Sequence, residues 1–367
     1  MADGGPNPSP GAPPPGETPG GAADGPAKRR KRGGTGSRSK ERDPSLPPRT
    51  PGARPRLPYA RKPLAGGTAR GVQGLRAPEY VVVGHVCGDI QTDGSCVLGG
   101  TALYSALTAA RLGWRVGVLT RGRYGETIDG VAVPSLDQYA AEMTIIAQEA
   151  DHPTFFVNEY HGGRRTQMLR RWAGAIDLRG LPPHWHNAKV IHLGPVAQEI
   201  DPRLTGGLNP LFLGATPQGW MREWPEGGGR VRLNPLRLPD ELMNRLDGIV
   251  VSDEEIHLAR EAVEWVGARR LGVVTTGEEG CRVIYGGERA DLPGFPVKTV
   301  DLTGAGDVFA AAFFVKASDR NVSAVDAAAF ANTVAALSLT GIGPSCVPTM
   351  REVERAIADA ADAPRRR

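Results

Sequence analysis

Residues 301–307 read Asp-Leu-Thr-Gly-Ala-Gly-Asp, and an apolar run, Val308 to Val315, follows at once. The stretch sets three small residues and then a carboxylate at the mouth of a helix. Small residues let the backbone approach a ligand closely. The first amides of a helix have no partner inside it and attract anions. A carboxylate there does not serve as the anion site, but it takes a proton from a nearby hydroxyl. Amides beside a base are what phosphoryl transfer to an alcohol requires. Taken alone, the same residues also read as a Gly-rich turn with Asp307 as a helix-start carboxylate, so the rest of the chain has to decide.

Upstream, Tyr80-Val81-Val82-Val83 predicts a short buried strand ending at Gly84. Gly99-Gly100 opens a helix with Ala102, Leu103, Ala106, Leu107 and Ala110 on one face, stopped by Gly113. Val116 to Leu119 is the next strand. Strand, helix, strand in this order predicts a parallel sheet covered by helices, an α/β fold. The pattern returns with strands at Lys189–Leu193, Gly248–Val251, Gly272–Thr275 and Arg282–Tyr285, and a helix from Asp253 to about Val266. A small-residue helix from Ser323 to Leu339 and a last helix from Met350 close the chain. Positions 204–237, rich in Gly and Pro, read as loop. The stretch 144–177 reads as short strands outside the alternation, a lid that keeps water from the reacting groups.

The first 76 residues differ from the rest. They hold 15 of the 32 prolines and 15 of the 49 glycines, with 15 Lys/Arg against 5 Asp/Glu. Such a segment buries too little apolar surface to offset its ordering entropy, so 1–76 is expected to be a disordered basic extension before a folded body at 77–360. The body carries 29 basic against 35 acidic residues, so the basic balance of the chain belongs to the extension. Lys28-Arg29-Arg30-Lys31-Arg32 reads as a solvated tail or as a patch for nucleic acid or a membrane surface. The solvated reading is favoured, and it predicts neither a membrane nor a nucleic-acid partner. No run approaches the roughly 20 apolar residues of a membrane span. Cys87, Cys96, Cys281 and Cys346 form no Cys-x-x-Cys pair and predict free thiols in a cytoplasmic protein.

Gly99-Gly100, Thr275-Thr276-Gly277 after a late strand, and Asp301–Asp307 together resemble the three signatures of the ribokinase/PfkB family of carbohydrate kinases, in the family's order. The resemblance covers about residues 79–355. It implies a ribokinase-like three-layer α/β/α fold with a mostly parallel sheet and a small β lid. It implies an ATP- and Mg2+-dependent kinase acting on a hydroxyl of a small polyol or sugar. Position by position, Asp307 would be the general base, and Gly304, Ala305 and Gly306 would offer amides to the phosphoryl group. Asp89 would hold substrate hydroxyls from the end of the first strand, with Gly99 and Gly100 beside it. Thr275 and Gly277 would line the nucleotide site and Asn332 would lie near the adenine. Glu255 would organise the magnesium, and a monovalent cation would sit near Asp301 and Gly341-Ile342-Gly343.

Departures from the family pattern refine this expectation. Ser252-Asp253-Glu254-Glu255 has Ser where the family has Asn; the same four residues also read as a capping box at a helix start. Leu302 stands where the family usually has a small or hydroxyl residue. Tyr104 stands where sugar kinases of the family carry an Asn. It reads either as a core aromatic or as a mark of the inositol kinase branch, which Arg164–Asp177 and His192–Val196 followed by Glu199 also resemble. A myo-inositol-like acceptor is therefore favoured. A nucleoside or other sugar kinase is the nearest alternative, and a non-catalytic ligand-binding regulator is the second. His85, His161 and His192 lack metal-ligand spacing and read as structural. Arg164-Arg165 and Arg170-Arg171 read as an anion clamp or as exposed lid charges.

Overall fold

The structure, a computed structural model, describes residues 77–161 and 164–362. The extension at 1–76 and the side chains of His161, Arg164 and Arg165 lie outside the described residues. The Tyr80–Val83 strand is apolar on both faces because both are covered: Tyr80 and Val82 belong to one core, Val81 and Val83 to the other. A parallel sheet between two helix layers demands this continuous apolar run. From one edge, the nine-stranded sheet runs Glu288–Leu292, Cys281–Tyr285, Leu271–Thr275, Gly248–Ser252, Phe212–Ala215, Val190–Leu193, Tyr80–Val83, Val116–Arg121 and Met143–Gln148. The first two pairings in that order, Glu288–Leu292 with Cys281–Tyr285 and Cys281–Tyr285 with Leu271–Thr275, are antiparallel; the other six are parallel.

Three helices pack broadly on the first core, Thr101–Arg111, Ala305–Ala317 and Ala324–Ser338, and Met350–Asp362 adds Val353 to it. The helices Asp240–Arg245 and Ile256–Arg269 pack on the second, which completes three layers. The helix that follows the motif is apolar all round, as a helix enclosed by sheet and neighbouring helices must be. In-register parallel pairing brings the strand ends at Val83, Leu193, Ala215, Ser252 and Thr275 to one edge of the sheet. That edge is where open α/β sheets hold their ligands.

A second, five-stranded sheet forms the lid: Gly229–Arg230, Arg164–Arg171, Phe155–His161, Cys87–Ile90 and Cys96–Gly99. Its boundaries differ from the expected 144–177. Met143–Gln148 extends the central sheet, and the lid draws two strands from the region between Val83 and the first helix. Asp89 accordingly stands on a lid strand and not at the end of the first strand. The 204–237 stretch holds a buried central strand, Phe212–Ala215; four residues among many Gly and Pro gave too short an apolar signal to stand out. The helix expected from Asp253 begins at Ile256, because Ser252 ends a strand and the turn between them is closed by Glu255 N–H donating to Ser252 O.

Candidate active site

Gly304 caps the motif helix in the left-handed region at φ 80°. A Cβ there would also stand 2.5 Å from the Tyr104 ring, so only glycine fits. The first helical bond runs from Val308 N–H to Gly304 O. The amides of Ala305, Gly306 and Asp307 precede it and have no intrahelical acceptor. Ala305 N–H turns back to Leu302 O at 3.4 Å, a long contact, so this amide is partly engaged and differs from the expectation of a free donor.

Asp307 is reached from the first helix. Thr101, its first residue, donates Oγ1–H to Asp307 Oδ1 at 2.7 Å, and Ser105 Oγ donates to Asp307 O at 3.2 Å. Asp307 as a residue is only half-buried, yet its carboxyl is enclosed. Burial pushes the carboxyl up to about 6; the Thr101 hydroxyl and the Arg222 charge pull it down, and Glu255 pushes it up. An acid of this kind is ionised at neutral pH and close enough to neutrality to take a proton.

Asp89 approaches from the lid. A Cβ on Gly99 would stand 2.6 Å from Asp89 Oδ2, so the glycine makes room for the carboxylate. Gly100 has φ 86° and lies against His85 O. Tyr104 is buried, with its ring between Gly99 and Gly304. Burial pushes the Tyr104 hydroxyl well above its usual range, and Asp301, Asp307 and Asp89 push it further, so it stays protonated. The aromatic is thus both packed in the core and facing the site.

On the other side, Thr275 Oγ1 donates to Val251 O at 3.4 Å and Gly277 sits exposed at φ 60° in open space. Asn332 is buried and its Nδ2 donates to Pro293 O at 3.0 Å, so the amide fastens the loop after Glu288–Leu292. Glu255 is buried; its Oε1 accepts from Gln218 Nε2 at 2.7 Å and its Oε2 from Ser252 N–H at 3.2 Å. That is the return half of a capping box, while the helix N-cap is Glu255 itself. Among the described residues no three acidic, Cys or His side chains converge into a metal cage. A magnesium ion would suit this donor set only through phosphate oxygens and water, the manner in which Mg2+ is usually held. Asp301 bridges the motif to the last loop, accepting from Thr303 N–H and Oγ1–H and from Gly343 N–H.

Three residues that sequence reasoning passed over, and a fourth that it reached through a resemblance, complete the site. Thr101 orients Asp307, and its one local signal is its place directly after Gly99-Gly100. Gln218 holds Glu255. Arg222 faces the lid, with Nη1 donating to Val196 O at 2.9 Å. Glu199, singled out only through a resemblance, accepts from three backbone N–H groups, those of His85, Val196 and Ala197. It ties the lid hinge to the loop after Val190–Leu193. His192 is neutral and structural: burial pushes it down to about 3, and it sits between Tyr80 and Thr216. Arg171 bonds Asp129 on the exposed side of the lid and Arg170 is exposed, so neither closes on the site.

A family model for the pfkB family carbohydrate kinases matches residues 240–350. The chain is 34% identical over 308 residues to an inositol 3-kinase of Oryza sativa subsp. japonica, covering 79% of this chain and 76% of that one. It is 27% identical over 296 residues to fructokinase-2 of Zea mays, covering 71% and 85%. Two further curated matches, both sugar kinases, are local and span 38% and 28% of those proteins. Among solved structures, a pyrophosphate-dependent kinase of the ribokinase family in complex with sulfate superposes with a TM-score of 0.62 at 20% identity, over 76% of this chain and 99% of that one. The shared fold is that of ribokinase-like proteins. All four cysteines are free, and among the described residues no helix is long and apolar enough to cross a membrane.

Proposed function

Because the chain belongs to the pfkB family of carbohydrate kinases, phosphotransferases with an alcohol acceptor, we propose that it moves the γ-phosphoryl group of ATP to a hydroxyl of a small polyol of the myo-inositol type. The observation that carries the reading is the pairing of an ionisable carboxyl with the mouth of a helix: Asp307 stands one residue from exposed Gly306, held through Oδ1 by Thr101. With Oδ1 held, Oδ2 accepts the proton of the attacking hydroxyl. The amides of Gly306 and Asp307, with Ala305 as it releases Leu302 O, balance charge on the phosphoryl oxygens. Asp89 holds neighbouring hydroxyls, and Thr275, Gly277 and Asn332 border the nucleotide. A magnesium ion would supply charge neutralisation at the phosphates, and Glu255 would hold its water shell. Asp301 and the Gly341–Gly343 loop are the place for a monovalent cation. Positioning and electrostatics carry such a transfer, because the protein forms no covalent intermediate. The free thiols suit a cytoplasmic protein.

Tyr104 and the similarity to an inositol 3-kinase favour a cyclic polyol. The fructokinase similarity supports a ketose as the second reading. The deciding experiment offers myo-inositol, fructose, ribose and cytidine, each with ATP and with pyrophosphate, and measures phosphorylated product by mass. Preference for myo-inositol with ATP is expected. A preference for cytidine would remove the polyol reading, and no product with any pair would remove the kinase reading.

A further inference from the structure

Cys87, Asp89 and Phe156 project from one face of the lid. Asp89 and Phe156 are register partners on adjacent strands, and Cys87 lies two residues before Asp89 on the same strand. Gly99, opposite Cys87, shares that face. The chain that leaves the short helix Gln218–Met221 brings Arg222 over it. The guanidinium lies 5.5 Å from the centre of the Phe156 ring while Nη1 is fixed by Val196 O at 2.9 Å. Trp224 and Val231 from the same segment pack beside it against Cys87, Phe156 and Leu169. The segment therefore roofs the lid face that carries Asp89, and it sets one basic side chain into the roof. Burial holds both the Asp307 carboxyl and the Cys87 thiol above their usual ranges, and the Arg222 charge pulls each back down in part.

We propose that Arg222 is a specificity-determining residue of the acceptor pocket, donating to the oxygen of a polyol hydroxyl adjacent to the one that Asp89 accepts from. The inference rests on the kinase reading above and names how its acceptor is read. A carboxylate only accepts and a guanidinium only donates, whereas a hydroxyl does both. Two neighbouring hydroxyls thus meet one group of each kind. The charge lying over the Phe156 ring and the bond to Val196 O hold the planar fork in place, so little freedom is lost when it binds. A pocket with a buried donor rejects an acceptor that lacks the matching oxygen far more strongly than an apolar pocket does.

The test uses the full chain and the acceptor that the panel above identifies, together with each of its mono-deoxy analogues, at saturating ATP. Beyond the position attacked, wild type is expected to discriminate against the deoxy positions read by Asp89 and by Arg222, each by about 10- to 100-fold in kcat/KM. Arg222→Met is expected to bring one of them to within about threefold while the other positions keep their wild-type ratios. Its KM for the acceptor rises and its KM for ATP stays. Arg222→Gln keeps a donor to Val196 O and serves the same comparison should the Met variant fold poorly. Equal slowing of every analogue, or an unchanged deoxy pattern, overturns the assignment and makes Arg222 structural. An inactive wild type would instead take down the kinase reading and this inference with it. An active Asp307→Asn variant would unseat the base and leave the Arg222 comparison standing.

Discussion

Replacing Asp307 by Asn separates chemistry from stability in opposite directions. The carboxyl rises from 3.8 to about 6 on folding, because burial disfavours its charge. A raised carboxyl pKa means that the fold carries a charge penalty above pH about 6, which disappears as pH falls below about 4. Two pH units correspond to about 3 kcal/mol, and the half-open position of the residue reduces this to about 1–2 kcal/mol. Asn is neutral, near in shape, and keeps an oxygen for the Thr101 hydroxyl. The variant should therefore melt a few degrees above wild type at pH 8, roughly 2–4 °C per kcal/mol for a domain of this size. Its turnover should fall about 10²-fold or more, the usual worth of a positioned base. Wild-type kcat/KM should lose activity tenfold per pH unit below about 6, and the residual activity of the variant should show no such limb. Scanning fluorimetry and coupled ADP release read both effects on one preparation. Near-normal turnover refutes the base. An inactive variant that melts below wild type refutes the buried-charge argument, since the loss would then follow from damage at the Thr101 contact.

Other perturbations test the supports of the site. Thr101→Val removes the hydroxyl that lowers Asp307, so the acid limb of kcat/KM should move to higher pH, with a larger loss at pH 6 than at pH 8; an unmoved limb in a pH-rate series denies the contact. Gly304→Ala forces a side chain into the left-handed region and against the Tyr104 ring, and should cost about 1–3 kcal/mol in urea unfolding, together with most of the activity. Glu199→Ala strands three buried backbone donors at the lid hinge and should cost about 3–5 kcal/mol; a loss under about 1 kcal/mol in the same assay would show that these donors find water.

The elements that the sequence disclosed are those whose signal is local. Tyr80–Val83 is four consecutive apolar residues, and the motif helix starts where glycines give way to Val308. Asp307 and the glycine turn were legible because backbone conformation and chemistry coincide within seven residues. What remained hidden depends on contacts across the chain. Thr101 is 206 positions from Asp307, and nothing beside it marks a partner so distant. Arg222 lies in a Gly- and Pro-rich stretch whose composition reads as loop, although the stretch supplies both a central strand and the roof of the lid. The two longest lid strands fall inside the expected 144–177, but Cys87–Ile90 and Cys96–Gly99 were missed because they are four residues each and include Gly88, Asp89 and Gly99, which weaken any strand pattern.

The glycines around the site bear on the proposed acceptor. Gly99 admits the Asp89 carboxylate and Gly304 admits the Tyr104 ring, so each glycine exchanges its own side-chain space for that of a residue facing the pocket. The Tyr104 hydroxyl, pushed up by burial and then by Asp301, Asp307 and Asp89, remains a neutral phenol among three carboxylates. A pocket so rich in acceptors favours a guest that brings many donors. A polyol does so with every hydroxyl, and its own oxygens in turn need a donor, which the Arg222 guanidinium supplies from above. An anionic sugar phosphate would meet repulsion from the carboxylates. The proposed preference for a small neutral polyol thus follows from the balance of donors and acceptors, and one acidic or bulky acceptor turned over as fast as myo-inositol would break it.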